Sequence, residues 1–173
     1  MDEFFLIDPQ LVAQQAAIRA AELKWLKDQI RNIPARVLDE KVATIAARTV
    51  AAIDCTTCAN CCRTLEPELS EEELQQLLTL RQETHKHLQT KFVGFDPVRG
   101  IHYLTSVCTF LSDNKCLVYA DRPSACREYP RLIPDLKFRW KKTIEDYAIC
   151  PIVFNTIEQL KTDLRNSENI PQG

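Results

Sequence analysis

The sequence predicts an α+β fold in which an N-terminal helical hairpin leads into a short β-hairpin region and a C-terminal helix closes the chain. Three observations predict it. Apolar residues recur at helical spacing before residue 54 and again after Pro151. Strand-like runs and turn residues fill the stretch from Ile101 to Tyr119. Eight cysteines begin where the second helix ends. A length of 173 residues suits one compact domain with a helical extension, and 45% apolar residues is enough for a core. The expected division is a helical hairpin over 1–54, a cysteine-bearing domain over 55–168 and a polar tail over 169–173.

The first helix is expected over 8–32. Asp8 can cap it and Pro9 suits its first turn. Leu11, Val12, Ile18, Leu23, Trp25, Leu26 and Ile30 form its apolar stripe. Asn32-Ile33-Pro34 breaks the chain, and a second helix follows over 35–53. Val42, Ile45, Ala46, Val50 and Ile53 share one face of it. Thr49 falls on that face, where its hydroxyl can bond back to the Ile45 carbonyl. Stripes of this kind are ordinarily core, and the alternative is a hairpin that presents them to a protein partner. Ser70 with Glu73 makes a capping box, so a helix is expected from there to about residue 91, with Leu74, Leu77, Leu78 and Leu88 inward. His85 and His87 lie two apart on it, point to different faces, and read as solvated.

Gly94 to Gly100 reads as a loop and Ile101 as the start of β structure. Cys108-Thr109-Phe110-Leu111 and Cys116-Leu117-Val118-Tyr119 flank Ser112-Asp113-Asn114-Lys115, a hairpin signal. A four-residue loop pairs Leu111 with Cys116 and puts Cys108 on the opposite face. A three-residue loop, with Asn114 in the left-handed position, pairs Phe110 with Cys116 and puts both thiols on one face. The odd-length loop is expected if both cysteines serve one site. Asp121-Arg122-Pro123 opens a short helix carrying Cys126 and Arg127, and Pro130 and Pro134 end it. Leu136 to Ile144 reads as another strand. Cys150-Pro151 starts the terminal helix, with Ile152, Val153, Ile157, Leu160 and Leu164 on one face.

A net charge of −2 argues against nucleic acid as a global partner. The start is acidic where a signal peptide would be basic, and no apolar run approaches the ~18 residues of a membrane span, so no membrane role and a cytosolic location are expected. Clustered thiols in a reducing compartment are metal ligands more often than disulfides. Four of the eight also fall within residues 55–62, where neighbours are hard to bridge without strain.

Cys55-x-x-Cys58-x-x-Cys61 with a distant Cys150-Pro151 has the ligand spacing of a 4Fe–4S cluster, and the same thiolates suit zinc. Adjacent side chains diverge, so Cys61 and Cys62 are expected to serve different metal atoms. That leaves Cys62, Cys108, Cys116 and Cys126 for a second four-thiolate site. Arg122 and Arg127 flank Cys126 within reach of its sulfur and are the cofactor-binding candidates. Lys115 to Lys142 holds eight basic residues against three acidic ones, a solvated basic face in its plain reading. Three glycines leave no phosphate-cradling loop, and no paired-His zinc motif or Gly-framed Ser nucleophile occurs. His102 reads as structural, and Tyr119 and Tyr129 as packing beside the cysteines. The fold is thus a small, irregular, metal-organised one.

Cys-x-x-Cys-x-x-Cys-Cys at 55–62, Cys108-x-Phe-Leu, Cys116-x-x-Tyr119, Arg122-Pro123-x-x-Cys126-Arg127 and Cys150-Pro151 together resemble the YkgJ-type cysteine-cluster family over roughly residues 55 to 151. The resemblance implies zinc or iron chelation by all eight cysteines and no settled reaction. Some relatives resemble flagellin lysine methylases and others are called iron–sulfur oxidoreductases; neither label transfers residue by residue. The function expected is a metal or iron–sulfur protein in electron transfer or a redox step. A structural zinc module that shapes a surface for a protein partner and a metal-dependent enzyme are the alternatives.

Overall fold

The computed structural model describes residues 5–81 and 92–168. The expectations for His85, His87, Leu88 and the tail from 169 lie outside them. Contacts group the chain into two compact units, Met1–Asp54 with Pro130–Gly173, and Cys55–Tyr129. The segment from Pro130 onward thus groups with the N-terminal helices. The fold is mixed α+β: mostly helical, with a few short antiparallel strands and a C-terminal helix.

The helical unit holds α1 (Pro9–Arg19), α2 (Glu22–Arg31), α3 (Ala35–Ala52), the first three helices of the chain. Asp8 caps α1, accepting from the backbone of Gln10 at 2.8 Å and Leu11 at 3.0 Å. The single helix expected over 8–32 is interrupted at Ala20-Ala21, where bonds from Ala20 to Ala17 and from Leu23 to Ala20 tighten the turn. No breaker residue marks that point. Arg19 and Glu22, on either side of it, are tied to Glu158 and Lys161 of the terminal helix, which sets the bend through tertiary contact. The stripe is partly right: Val12, Leu23, Leu26 and Ile30 are buried, but Leu11 and Ile18 are exposed.

The terminal helix, Pro151–Glu168, is the centre of this unit. Residues 151–157 are buried on every side, because α3 and α1 pack on it together with a helix over Trp140–Tyr147. The Thr49 hydroxyl of α3 bonds the Ala46 carbonyl at 3.0 Å and reaches the Ile45 carbonyl at 3.4 Å, as the pattern predicts, and it also meets the Thr156 hydroxyl at 2.9 Å. Asn155 pins the segment before α1, accepting from Leu6 N at 2.9 Å and donating to Leu6 O at 2.8 Å. The Trp140–Tyr147 helix replaces the strand expected over Leu136 to Ile144. Leu136, Phe138 and Trp140 alternate like a strand, yet Leu136, Thr143, Asp146 and Tyr147 are buried at helical spacing and Phe138 is 92% exposed. Among the described residues no helix is long and apolar enough to cross a membrane.

The cysteine unit begins with α4 (Cys55–Cys58) and α5 (Asn60–Thr64), separated by Ala59 at a φ of 49°. β1 (Glu68–Leu69) follows, then α6 (Glu71–Arg81), β2 (Val93–Asp96) and β3 (Ile101–Leu104). The strands form an antiparallel sheet in the order β1-β3-β2. The capping box is present: Ser70 N donates to Glu73 Oε2 at 2.9 Å and Glu73 N to Ser70 Oγ at 3.2 Å. Gly94, expected in a loop, lies in β2 opposite Tyr103. A Cβ there would stand 2.1 Å from the Tyr103 ring, so glycine is required for close approach and the turn shrinks to 97–100. Leu69, Leu74, Leu77, Leu78, Val93, Leu104 and Phe110 make the core, with Cys108 packed against it.

The second hairpin is β4 (Leu111–Ser112) with β5 (Lys115–Cys116), and Leu111 pairs with Cys116. This is the even register; the odd-length loop expected from the shared-site argument is not formed. Asp113 and Asn114 both take positive φ, 46° and 65°, and make a two-residue turn whose twist suits the strands. The alternation argument fails because the strands end early: Cys108 to Leu111 is a turn, closed by Leu111 N to Cys108 O at 3.0 Å. A 3-10 turn (Tyr119–Asp121) and α7 (Ser124–Arg127) complete the unit. In the numbering used below, Trp140–Tyr147 is α8 and Pro151–Glu168 is α9.

Candidate metal centre

All eight cysteines are free thiols. Local structure delivers seven of them within the cysteine unit. The x-x spacing sets Cys55 and Cys58 one turn apart on α4. The left-handed Ala59 then redirects the chain into α5, which carries Cys61 and Cys62. Cys55 is exposed and the other three are half-buried. The Cys62 carbonyl accepts the Cys108 amide at 2.8 Å, which fixes the turn before β4 beside α5. Cys116 ends β5, and Cys126 sits in α7.

Cys62, Cys108 and Cys116 all act on Cys126. Burial pushes the Cys126 thiol up to about 12, and the charges of Cys108, Cys62 and Cys116 push it the same way, against Arg122. Cys116 is also raised, first by burial; a hydrogen bond from the Val118 backbone opposes this, Cys62 adds to it, and Arg122 opposes it. Charges shift a thiol in this way only from within several ångströms. Cys62 moves the other way, down to about 7, because Cys61 hydrogen-bonds its sulfur; burial resists, and the Arg63 charge assists.

Four soft sulfurs from four chain segments are a donor set that suits a thiophilic ion or cluster. Among the described residues no three His, Cys, Asp or Glu side chains stand ready-placed around an ion. Thiolates repel one another, so a bound cation would be what holds them at bonding distance.

Cys150, the eighth cysteine, lies in the helical unit. It is buried, its amide bonds the Asp146 carbonyl at 2.8 Å, and its carbonyl accepts from Phe154 at 2.9 Å to open α9. Arg122 stacks on Tyr119 at 3.9 Å, donates to the Tyr119 carbonyl at 2.7 Å, and turns its charge on Cys116 and Cys126. Arg127 acts on Glu73. His102 packs on Phe95 at 4.9 Å and faces Glu71 at 3.8 Å in the sheet. Tyr119 is exposed and Tyr129 half-buried.

Three residues near the thiols escaped the sequence reading. Glu73 reads as a helix cap, but its second carboxylate oxygen accepts the Ser124 amide at 2.6 Å and so pins the start of the Cys126 helix to α6. Arg63 donates to the Cys58 carbonyl at 3.1 Å and to Asn114 Oδ1. Asn114 donates to the Thr57 carbonyl at 3.4 Å. The only signal was adjacency, since Arg63 follows Cys62 and Asn114 precedes Cys116 by two.

Comparison with known proteins adds one match. The family model CxxCxxCC, described as a "putative zinc- or iron-chelating domain", matches residues 54–151, more than half of the chain and all eight cysteines. No curated protein and no solved structure matches.

Proposed function

We propose that this chain, which belongs to the CxxCxxCC family, holds zinc or iron through thiolates, with Cys62, Cys108, Cys116 and Cys126 as one ligand set. The observation that carries the reading is the mutual action of those four thiols, most plainly the rise of Cys126 to about 12 under burial and the charges of the other three. Four thiolates around a divalent ion leave a local charge of about −2. Arg122 beside Cys116 and Cys126, and Arg63 beside Cys62, favour the thiolate forms the ion requires. Cys55, Cys58 and Cys61 are proposed as further ligands. A ligand role for Cys150 rests on the Cys-Pro pattern alone. A reducing compartment such as the cytosol suits such free thiols.

The finer reading is electron transfer or a redox step at an iron–sulfur cluster, supported by the spacing of Cys55, Cys58 and Cys61. A cluster bound there supplies one-electron chemistry, whereas zinc supplies folding energy. One observation favours the structural zinc reading as a second: α4, α5, β4, β5 and α7 contain no buried residue, so apolar packing does little to hold them.

Anaerobic purification with an absorption spectrum, elemental analysis and labile sulfide decides between them. A brown protein with sulfide supports the cluster, and a colourless one with stoichiometric zinc supports the structural module. A protein free of both metals sinks the whole reading. Replacing Cys62 and Cys150 separately and counting metal in each tests the ligand sets: if either single loss empties the protein, one shared centre replaces the division.

A further inference from the structure

The β4–β5 turn is built from Asp113 and Asn114, both at positive φ. A turn of this type asks only for residues that tolerate that conformation, and glycine serves best at the second position. Asn114 brings a side chain that is used. Its Oδ1 accepts from Arg63 Nη2, and its Nδ2 donates to the Thr57 carbonyl at 3.4 Å. The other guanidinium nitrogen of Arg63 donates to the Cys58 carbonyl at 3.1 Å. Two side chains thus join the end of α4, the body of α5 and the tip of the hairpin. Cys62 is next to Arg63 in sequence and Cys116 lies two residues past Asn114, so both thiols sit on the joined segments.

We propose that Arg63 and Asn114 form a latch that positions Cys62 against Cys116 and thereby sets how long the centre retains its metal. The inference rests on the metal–thiolate reading above. The latch bonds are exposed, so water competes for them and they add little to the folded state as a whole. Their effect is on local opening. A thiolate centre loses its ion when one arm swings away, and the hairpin, with strands of two residues and no buried position, is an arm that packing holds weakly. Asn114 and Arg63 are positioning residues; neither is a ligand.

The test uses the full chain as purified with its metal. Asn114→Gly keeps the positive φ and removes the amide. Asn114→Asp keeps the acceptor for Arg63. Arg63→Met removes the other half. Metal loss to a chromophoric chelator is timed for each, beside metal content at loading and the far-ultraviolet circular dichroism spectrum. Asn114→Gly and Arg63→Met are expected to load as the parent does and to lose metal about tenfold faster. Asn114→Asp should stay within about twofold of the parent, and the double variant should lose metal no faster than the faster single one, as for two halves of one device. Asn114→Gly releasing metal at the parent rate, or single effects that multiply in the double variant, overturns the latch and leaves the metal reading standing. A parent chain that never holds zinc or iron overturns both. If Asn114→Gly fails to fold, the comparison of Asn114→Asp with Arg63→Met makes the same distinction.

Discussion

In the helical unit, α9 is buried on all sides through its first two turns, and its polar groups are answered inside the unit. Lys161, 1% exposed, meets Glu22 and Glu158 at 2.6 Å each, and the Tyr147 hydroxyl donates to Glu158 at 2.6 Å. In the cysteine unit, the sheet and α6 share an apolar core, but the elements that carry Cys55–Cys62, Cys116 and Cys126 hold no buried residue of their own. Hydrogen bonds that link them include Cys108 to Cys62, Ser124 to Glu73, and the Arg63–Asn114 pair. The difference is one of division of labour. One unit is stabilised by buried area, worth about 1.5–3 kcal/mol for each fully buried Leu or Ile. The other carries its thiols on elements with no buried residue, which on the proposed reading a bound ion would draw together.

The largest effect that tests this contrast is metal removal. A structural thiolate site contributes about 10 kcal/mol or more to folding. Chelation, with metal loss confirmed, should therefore strip hydrogen-exchange protection from α4, α5 and the β4–β5 hairpin while the amides of α3 and α9 keep theirs. Equal loss in both units, or none in the cysteine unit, breaks the contrast.

Next in size is Glu158→Ala. It leaves buried Lys161 with Glu22 alone and deprives Tyr147 of its acceptor, at a cost of about 3 kcal/mol. Denaturant unfolding followed by Trp fluorescence reads it, and protection in the cysteine unit should change little.

Acid acts on the same group. Burial opposes ionisation of Glu158, yet hydrogen bonds from Lys161, Tyr147 and Arg19 together hold its carboxyl below the ordinary value. A carboxyl depressed in the folded state contributes stability that is complete above the unfolded value, about 4.3, and is lost as pH falls through the lower folded value. Melting of the helical unit should thus fall with acidification below about pH 4, and less so in Glu158→Ala. An equal slope in the variant would assign the acid response elsewhere.

The smallest effect is Ser70→Ala, which removes one half of the capping box and costs about 1 kcal/mol. Thermal melting reads it, and α6 with the Glu73–Ser124 tie should be the region that loosens.

Much of this was legible locally. Asp8 with Pro9, Ser70 with Glu73, Asp121-Arg122-Pro123 and Cys150-Pro151 each announce a helix start through rules that involve three or four residues, and the structure has a helix at each. Two of the failures depended on distant partners. The Leu136–Trp140 alternation imitates a strand because a period of two is visible over five residues, while the helical burial of Leu136, Thr143 and Tyr147 shows only against the rest of the helical unit. Gly94 looks like a loop residue until Tyr103 is laid across it.

The sequence by itself determined the ligand chemistry, the helix starts and the family, because these reside in residue type and short spacing. Tertiary structure alone decided the burial of α9 on every side and the ties of Glu73 to Ser124 and of Arg63 to Asn114 beside the thiols. Each of those is a contact between residues tens of positions apart, and the energy that selects such a contact is written in neither partner's local sequence.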